Sequence, residues 1–269
     1  DKNLEESKMK KRIISAIIAL IITLPLIYFG GIPFYLLALV VSLVAYKEIL
    51  DLIIKDDYWI RLVSYICFLF LVGSSIVQND ITAVLDFKVV GIVLLIFGIL
   101  FLFKHKSNFK VDKCFYLIGV TLFLGVGFST LIIIRNMSLM YFIYFLLITT
   151  MTDTFAHSTG TLFGKHKINE ISPNKSWEGC LGGAFFGTLI SVLFYLIVIN
   201  QSINVFLLVF ITLFFSIIGQ IGDLFFSLIK RQNNIKDFSN LMPGHGGVLD
   251  RLDSALFVAL ALIYFINFL

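Results

Sequence analysis

Hydrophobic residues along this chain are gathered into nine long runs that polar segments separate. A membrane-crossing helix needs about 20 mainly apolar residues, and most of these runs approach that length. Because the bilayer core offers no water to the backbone, each crossing segment has to satisfy its own hydrogen bonds, as a helix does. The pattern therefore predicts an all-α, polytopic integral membrane protein with about nine transmembrane helices. The predicted spans are Ile13–Phe29, Pro33–Tyr46, Leu62–Val77, Val89–Phe103, Phe115–Ile134, Leu139–Met151, Leu181–Ile199, Val205–Gly222 and Ala255–Leu269.

The composition supports a membrane protein over a soluble one. Hydrophobic residues make up 59 % of the 269 residues and charged residues 14 %, whereas a soluble domain is roughly 45–50 % apolar and about one quarter charged. A water-soluble fold of this size could not bury so much apolar surface. Three scattered cysteines, Cys67, Cys114 and Cys180, predict neither a disulfide framework nor a zinc site and are interpreted as small core residues.

The basic residues test the number of crossings, because nine spans place alternate loops on opposite sides of the membrane. One side then receives 19 of the 21 Lys and Arg residues, and the other receives only Lys88 and Arg135. The excess of positive charge predicts a cytoplasmic N-terminus and an external C-terminus. This divides the chain into a cytoplasmic tail (residues 1–12), N-terminal transmembrane helices (13–152) and a C-terminal transmembrane catalytic region (153–269). The net charge of +4 is dispersed among loops, so we expect contact with anionic lipid headgroups and no nucleic-acid partner.

The first unusual polar region begins at Asp153, which this span count places at the cytoplasmic end of the sixth span. An acid at a helix C-terminus opposes the helix dipole, so Asp153 is expected to need a cation. Lys165, Lys167 and Lys175 follow, and they either contact headgroups or bind phosphate groups. Beyond them, glycines recur every four residues at Gly179, Gly183 and Gly187. They predict close helix packing, within the bundle or at a dimer interface.

The second polar region follows the eighth span. If the segment is helical, Gln220, Asp223, Ser227 and Lys230 share one face. The face could belong to an amphipathic surface helix with its polar side in water. Asp223, however, ends an apolar span, and an ionisable residue at that depth is by default a functional candidate.

The third polar region contains His245 among glycines and leads into the last span. Glycines allow the backbone to approach a ligand closely, and backbone N–H groups that lead into a helix suit an anion. Asp250 and Asp253 share one face of that helix, and two aligned carboxylates repel unless a proton or a cation lies between them. Hard oxygen ligands at a phosphate site favour Mg²⁺. The alternative is that the two acids stabilise the first turn of the helix.

These residues form a long motif that resembles the C-terminal signature of the phosphatidate cytidylyltransferase (CDP-diacylglycerol synthase) family. The motif reads Ser227-x-x-Lys230-Arg231-x-x-x-x-Lys236-Asp237-x-Ser239-x-x-x-Pro243-Gly244-His245-Gly246-Gly247-x-x-Asp250-Arg251-x-Asp253. The run from Phe163 to Lys167 and the run from Ser172 to Gly179 are also similar to that family. The resemblance implies that CTP and phosphatidate give CDP-diacylglycerol and pyrophosphate with Mg²⁺. It further implies a homodimeric, multi-pass enzyme of the cell inner (plasma) membrane with its active site at the cytoplasmic face.

The resemblance and the polar pattern together predict the roles of the site residues. The expected metal ligands are Asp223, Asp250 and Asp253, and a second cation is left open. The expected catalytic residues are Asp223, Asp250, Lys230, Arg231, His245 and Arg251, with His245 either a general base or a phosphate ligand. The expected substrate-binding residues are Lys165, Lys167, Lys175, Ser227, Lys236, Asp237, Gly244, Gly246 and Gly247.

Two other functions remain compatible with the sequence. A CTP-dependent kinase of polyprenol or phytol-type lipids would also need CTP, a metal and a polar cytoplasmic face. An ion-coupled transporter would use Asp153 and Asp223 as coupling-ion sites, but it favours charges at mid-bilayer and paired internal repeats. Here the polar residues cluster at one interface and no repeat is visible.

Overall fold

A computed structural model describes residues 17–54, 57–78, 86–104, 110–168, 172, 175–241 and 246–268. Within these ranges the chain is helical and has no β-strand, apart from one isolated bridge between Lys167 and Ser176. The all-α prediction is therefore confirmed. The helices are α1 (Ile17–Phe29), α2 (Gly31–Ile53), α3 (Tyr58–Gln78), α4 (Phe87–Lys104), α5 (Val111–Met137), α6 (Leu139–Phe163), α7 (Trp177–Phe194, continued by a π-turn over Tyr195–Ile199), α8 (Val205–Gln232) and α9 (Leu249–Phe265).

Five of these helices, α3 and α5 to α8, are long and apolar enough to cross a membrane, with α7 counted together with its π-turn. Helices α1 and α4 are shorter but also apolar. Many large hydrophobic side chains point outward from these helices, including Ile21, Leu95 and Phe210. A chain with this many apolar helices and outward hydrophobic side chains is a membrane protein.

Helix α6 extends well beyond the apolar run that predicts it. The run ends at Met151, but the helix continues to Phe163, so Asp153 lies inside a helix and the prediction that it ends one is wrong. The hydroxyls in this stretch donate back to carbonyls of the preceding turn: Thr154 Oγ1 to Thr150 O at 2.7 Å and Ser158 Oγ to Thr154 O at 2.8 Å. These bonds satisfy the polar side chains within the helix, so a loss of hydropathy does not end it.

The first of two compact units comprises residues 1–136 and 237–250. In its core Tyr46 stacks on Phe68, with ring centroids 4.2 Å apart, and shares a hydrogen bond of 2.6 Å with Thr121. Arg135 of α5 donates from Nε to the carbonyl of Ile27 at 2.6 Å, at the C-terminal end of α1. The guanidinium thereby satisfies a helix-end carbonyl that has no partner within its own helix. Cys67 and Cys114 are buried and unbonded to sulfur, and Cys180 of the other unit is half-buried and also free, as predicted.

The second unit comprises residues 137–236 and 251–269. Helices α6 and α7 pack closely where α7 carries its glycines: a Cβ atom placed at Gly183 would lie 2.7 Å from Ala156 Cβ, and one at Gly187 would lie 3.0 Å from Thr152 Cα. The glycines at four-residue spacing therefore serve packing within the bundle, the first of the two predicted roles. Helix α8 contacts α6 through hydroxyl pairs, with Thr152 Oγ1 2.7 Å from Ser216 Oγ.

Candidate active site

The close approach of α8 and α9 brings two of the predicted acids together. A Cβ atom placed at Gly222 would lie 2.8 Å from the carbonyl oxygen of Asp253 and 2.8 Å from the ring of Phe257. Only a residue without a side chain allows the α9 backbone to lie this close to α8. Asp223, the next residue on α8, consequently lies near enough to Asp253 for their charges to interact.

A third carboxylate, from α6, joins these two, and we call Asp153, Asp223 and Asp253 the acidic cluster. Ser254 connects two of its members: the Ser254 hydroxyl donates to Asp153 Oδ2 at 3.1 Å, and the Ser254 N–H donates to Asp253 Oδ1 at 2.8 Å. Lys175, from the segment before α7, forms an ion pair with Asp223 Oδ2. The cluster therefore combines acids from three helices with one lysine counter-charge.

The electrostatics of the cluster favour an added cation. The Asp253 side chain is 8 % exposed. Burial, followed by the negative charge of Asp223, raises the pKa of the Asp253 carboxyl above its ordinary value, while Lys230 opposes that rise. A divalent cation among the carboxylates would stabilise their charged forms. Among the residues that the structure describes, no group of three His, Cys, Asp or Glu side chains is already arranged to hold a metal.

The segment that carries Lys175 is held in place by Glu178, at the start of α7. Glu178 Oε2 accepts hydrogen bonds of 3.2 Å from the backbone N–H groups of Lys165 and His166, and Oε1 lies 2.5 Å from His166 Nδ1. The Ile168 N–H donates to the Lys175 carbonyl at 3.2 Å, which brings the two ends of the segment together. Lys175 thus reaches the acidic cluster, whereas the side chains of Lys165 and Lys167 are exposed. Glu178 belongs to the run from Ser172 to Gly179 that resembles the family, but no feature of the local pattern singles it out as a site residue.

Asp250 lies in the first unit, where its carboxylate accepts two hydrogen bonds from backbone N–H groups of described residues. Its Oδ2 accepts from Phe238 N and from Gly247 N, both at 2.9 Å. Gly246 has a φ of +81°, and a Cβ atom there would lie 2.9 Å from the same Asp250 oxygen. This oxygen of Asp250 therefore binds backbone N–H groups of the chain that precedes α9.

A second acid in the first unit, Glu48 of α2, was not among the predicted site residues. It is 4 % exposed, and its carboxylate accepts hydrogen bonds from the loop that precedes α9. In sequence it follows an apolar run and stands next to Lys47, so it is indistinguishable from an ordinary interfacial charge. Only the fold shows that it is buried.

The other predicted residues are distributed along α8, the loop after it and the start of α9. On α8, Ser227 and Lys230 are half-buried, and Arg231 is exposed and donates to the Ile235 carbonyl at 3.3 Å. The exposed residues farther along are Lys236, Asp237 and Arg251. Gly244 and His245 lie outside the described residues, so their roles remain predictions.

Known proteins resemble this chain over nearly its whole length. The sequence profile of the cytidylyltransferase family matches residues 10–269. A phosphatidate cytidylyltransferase of Staphylococcus haemolyticus (strain JCSC1435) is 36 % identical over 252 residues, which cover 93 % of this chain and 96 % of the relative. Proteins of the same name from Staphylococcus aureus (strain COL) and Staphylococcus epidermidis (strain ATCC 12228 / FDA PCI 1200) are 37 % and 36 % identical, over the same shares of the two chains.

Proposed function

The chain belongs to the cytidylyltransferase family, and we infer that it is a CTP-dependent nucleotidyltransferase that converts CTP and phosphatidate to CDP-diacylglycerol and pyrophosphate in phospholipid biosynthesis. Relatives named phosphatidate cytidylyltransferase match more than nine tenths of both chains. The structural observation that carries the proposal is the acidic cluster with Lys175 and Lys230 beside it. Such a mixture of carboxylates and ammonium groups suits a metal-bound triphosphate and a second phosphate.

The donor set of the acidic cluster fits Mg²⁺, which binds carboxylate oxygens and phosphate oxygens together. We propose that Asp223 and Asp253 hold the cation, with Asp250 contributing as the motif predicts and Asp153 adding a fourth carboxylate. When bound, Mg²⁺ neutralises charge on the triphosphate and on the departing pyrophosphate.

The reaction that we propose is an in-line displacement at the α-phosphorus of CTP. An oxygen of the phosphatidate phosphate forms the new P–O bond, and the bond between the α-phosphorus and the α–β bridging oxygen breaks to release pyrophosphate. A phosphate monoester is already anionic near neutral pH, so no strong base is required. The protein has to hold two mutually repelling anions in line and offset the charge that develops on the leaving group.

We assign that work to the basic residues and the glycine-rich loop. Lys230, Arg231, Lys236 and Arg251 would bind the triphosphate, and Ser227, Asp237, Gly246 and Gly247 would contribute to substrate binding. Lys165, Lys167 and Lys175 receive the lipid phosphate, for which the exposed side chains of the first two are suited. His245 acts as a phosphate ligand or as a base, and Gly244 allows the close approach of the loop.

We propose further that the chain crosses the membrane nine times with its N-terminus in the cytoplasm, and that the site faces the cytoplasm of the cell inner (plasma) membrane. The support is the distribution of Lys and Arg, since 19 of the 21 fall on one side of a nine-span arrangement. The cytoplasmic face is also where a water-soluble nucleotide meets a lipid headgroup. A homodimer is part of this proposal, on the resemblance alone.

Transfer of label tests the reaction. Purified protein in mixed micelles is given phosphatidate and CTP labelled with ³²P at either the α or the γ position. We expect the lipid fraction to acquire label from α-labelled CTP only, because the cytidylyl group is transferred. Label from γ-labelled CTP would indicate a lipid kinase. Absence of CTP turnover, together with substrate flux in liposomes, would favour a transporter.

A further inference from the structure

Glu48 of α2 is a buried acid for which the proposed reaction has no direct use. Its side chain is 4 % exposed, and Lys and Glu residues are rarely buried to this extent unless they are paired. Among the described residues, its hydrogen-bond donors lie in the segment from Asp237 to Asp250, 191 to 201 residues later in the chain. Both segments belong to the first compact unit.

Three hydrogen bonds join Glu48 to the described residues of that segment. Oε1 accepts from the Val248 N–H at 2.9 Å and from the Ser239 hydroxyl at 2.6 Å, and Oε2 accepts from the Leu249 N–H at 2.8 Å. The two N–H groups are at the start of α9, where a helix has no carbonyl partners of its own to offer them. The negative charge of Glu48 at this position also interacts favourably with the positive end of the helix dipole.

The carboxylate of Glu48 lies so close to the backbone of Gly247 that no side chain would fit at residue 247. A Cβ atom at Gly247 would lie 2.5 Å from Glu48 Oε1. The Gly247 N–H itself donates to a different carboxylate, Asp250 Oδ2, at 2.9 Å. Consecutive N–H groups at residues 247, 248 and 249 are therefore divided between two carboxylates, with the first bound to Asp250 and the next two bound to Glu48.

We propose that Glu48 is a positioning residue, which fixes residues 246–249 and the first turn of α9 so that the Asp250 carboxylate is presented to the metal-bound nucleotide in one geometry. The inference rests on the proposed function, because Asp250 is assigned there to the cation that binds the triphosphate. Glu48 itself touches neither substrate. Its role follows from carboxylate chemistry, since an ionised carboxylate only accepts hydrogen bonds and all of its partners here are donors.

The test replaces Glu48 by Gln and by Asp. Gln keeps the length and one acceptor but turns an NH₂ group towards a backbone N–H or hydroxyl donor. Asp keeps the charge but shortens the reach by one methylene. Asp51→Asn is the matched control: it neutralises another acid of α2, which is exposed and pairs with Arg61 at 2.5 Å.

We expect Glu48→Gln to lower kcat on the order of tenfold to a hundredfold, because a displaced catalytic group loses rate more than substrate affinity. The KM for phosphatidate should stay within about twofold, Glu48→Asp should recover part of the rate, and Asp51→Asn should match the wild type. Hydrogen exchange at the amides of residues 246–249 should become faster in Glu48→Gln and remain unchanged in Asp51→Asn. A purely structural role would instead lower the amount of folded enzyme and leave the kcat per folded molecule unchanged.

Two results would overturn the proposal: a kcat of Glu48→Gln within twofold of the wild type, or unchanged exchange at residues 246–249. If Glu48→Gln does not fold, Ser239→Ala removes one of the same bonds and decides the question by the same two readouts. The exchange measurement requires no turnover. A wild-type protein without cytidylyl transfer would therefore refute the proposed function, while the exchange arm still reports on Glu48.

Discussion

Asp223 forms an ion pair with Lys175. It follows Gly222, where an added Cβ atom would lie 2.8 Å from the backbone of α9. If its carboxylate holds the metal, Asp223→Asn should reduce kcat/KM by about a hundredfold or more with little change in stability. The measurement is CTP-dependent product formation by the purified variant in detergent, with Asp250→Asn alongside. Asp112→Asn, at an exposed acid in the first turn of α5, is the control. Near-normal turnover in well-folded Asp223→Asn and Asp250→Asn variants would contradict the metal assignment.

Lys175 provides a second prediction, because its ammonium group and a divalent cation would compete for the Asp223 carboxylate. Lys175→Gln removes the competing charge, so the Mg²⁺ concentration for half-maximal rate should fall about two- to fivefold, the equivalent of an ion pair worth ~0.5–1 kcal/mol. The KM for phosphatidate should rise in the same variant if Lys175 receives the lipid phosphate. Titrations of the initial rate with Mg²⁺ and with phosphatidate measure the half-maximal Mg²⁺ concentration and the KM. An increased Mg²⁺ requirement would show that Lys175 helps to hold the cation-binding residues instead.

Helix packing provides the prediction at the scale of elements. A Cβ atom at Gly183 would lie 2.6 Å from the Thr152 carbonyl oxygen of α6, so Gly183→Ala should destabilise the protein by ~1–3 kcal/mol. In Gly119→Ala, on α5, the added Cβ meets nothing within 4 Å, so the change should be neutral or stabilising by up to ~1 kcal/mol. Thermal unfolding of the two variants in the same detergent makes the comparison. A Tm for Gly183→Ala equal to that of the wild type would refute the close packing of α6 and α7.

The helices were largely predictable, while their ends were not. Over the residues that the structure describes, each predicted apolar run overlaps one helix. The runs at α7 and α9 also include the short π- or 3₁₀-helical turn that follows the helix. Hydropathy, however, reports only the part of a helix that is apolar. Helix α6 continues from Met151 to Phe163 through Thr and Ser residues whose hydroxyls bond within the helix, and this error in the boundary led to a wrong reason for Asp153.

At the scale of the whole molecule, the topology can be tested by labelling. Nine crossings place Ser202, in the exposed turn before α8, outside the cell and Gln232, at the exposed end of α8, in the cytoplasm. Ser202→Cys and Gln232→Cys are introduced separately into a chain whose three cysteines have been replaced by Ala. A membrane-impermeant maleimide should then label only Ser202→Cys in intact cells, and both variants after permeabilisation. The reverse pattern, or labelling of both in intact cells, would contradict the orientation.

The site was predictable where local sequence encodes it and hidden where it depends on distant contacts. Asp223, Lys230 and Asp253 could be singled out because polar residues interrupt apolar helices, and the structure brings Asp223 and Lys230 into electrostatic range of Asp253. Glu48 could not, because it is 200 and 201 residues from its partners Val248 and Leu249. Nothing in a single sequence distinguishes such an acid from an interfacial charge.

The most direct test of the central claim is the release of pyrophosphate from CTP by purified protein in mixed micelles with Mg²⁺, with and without phosphatidate. We expect pyrophosphate release only when phosphatidate is present, and in an amount equal to the CDP-diacylglycerol formed. The Asp223→Asn variant should release no pyrophosphate. Release of CDP in place of pyrophosphate, or no turnover of CTP by well-folded protein, would contradict cytidylyl transfer to phosphatidate at the acidic cluster.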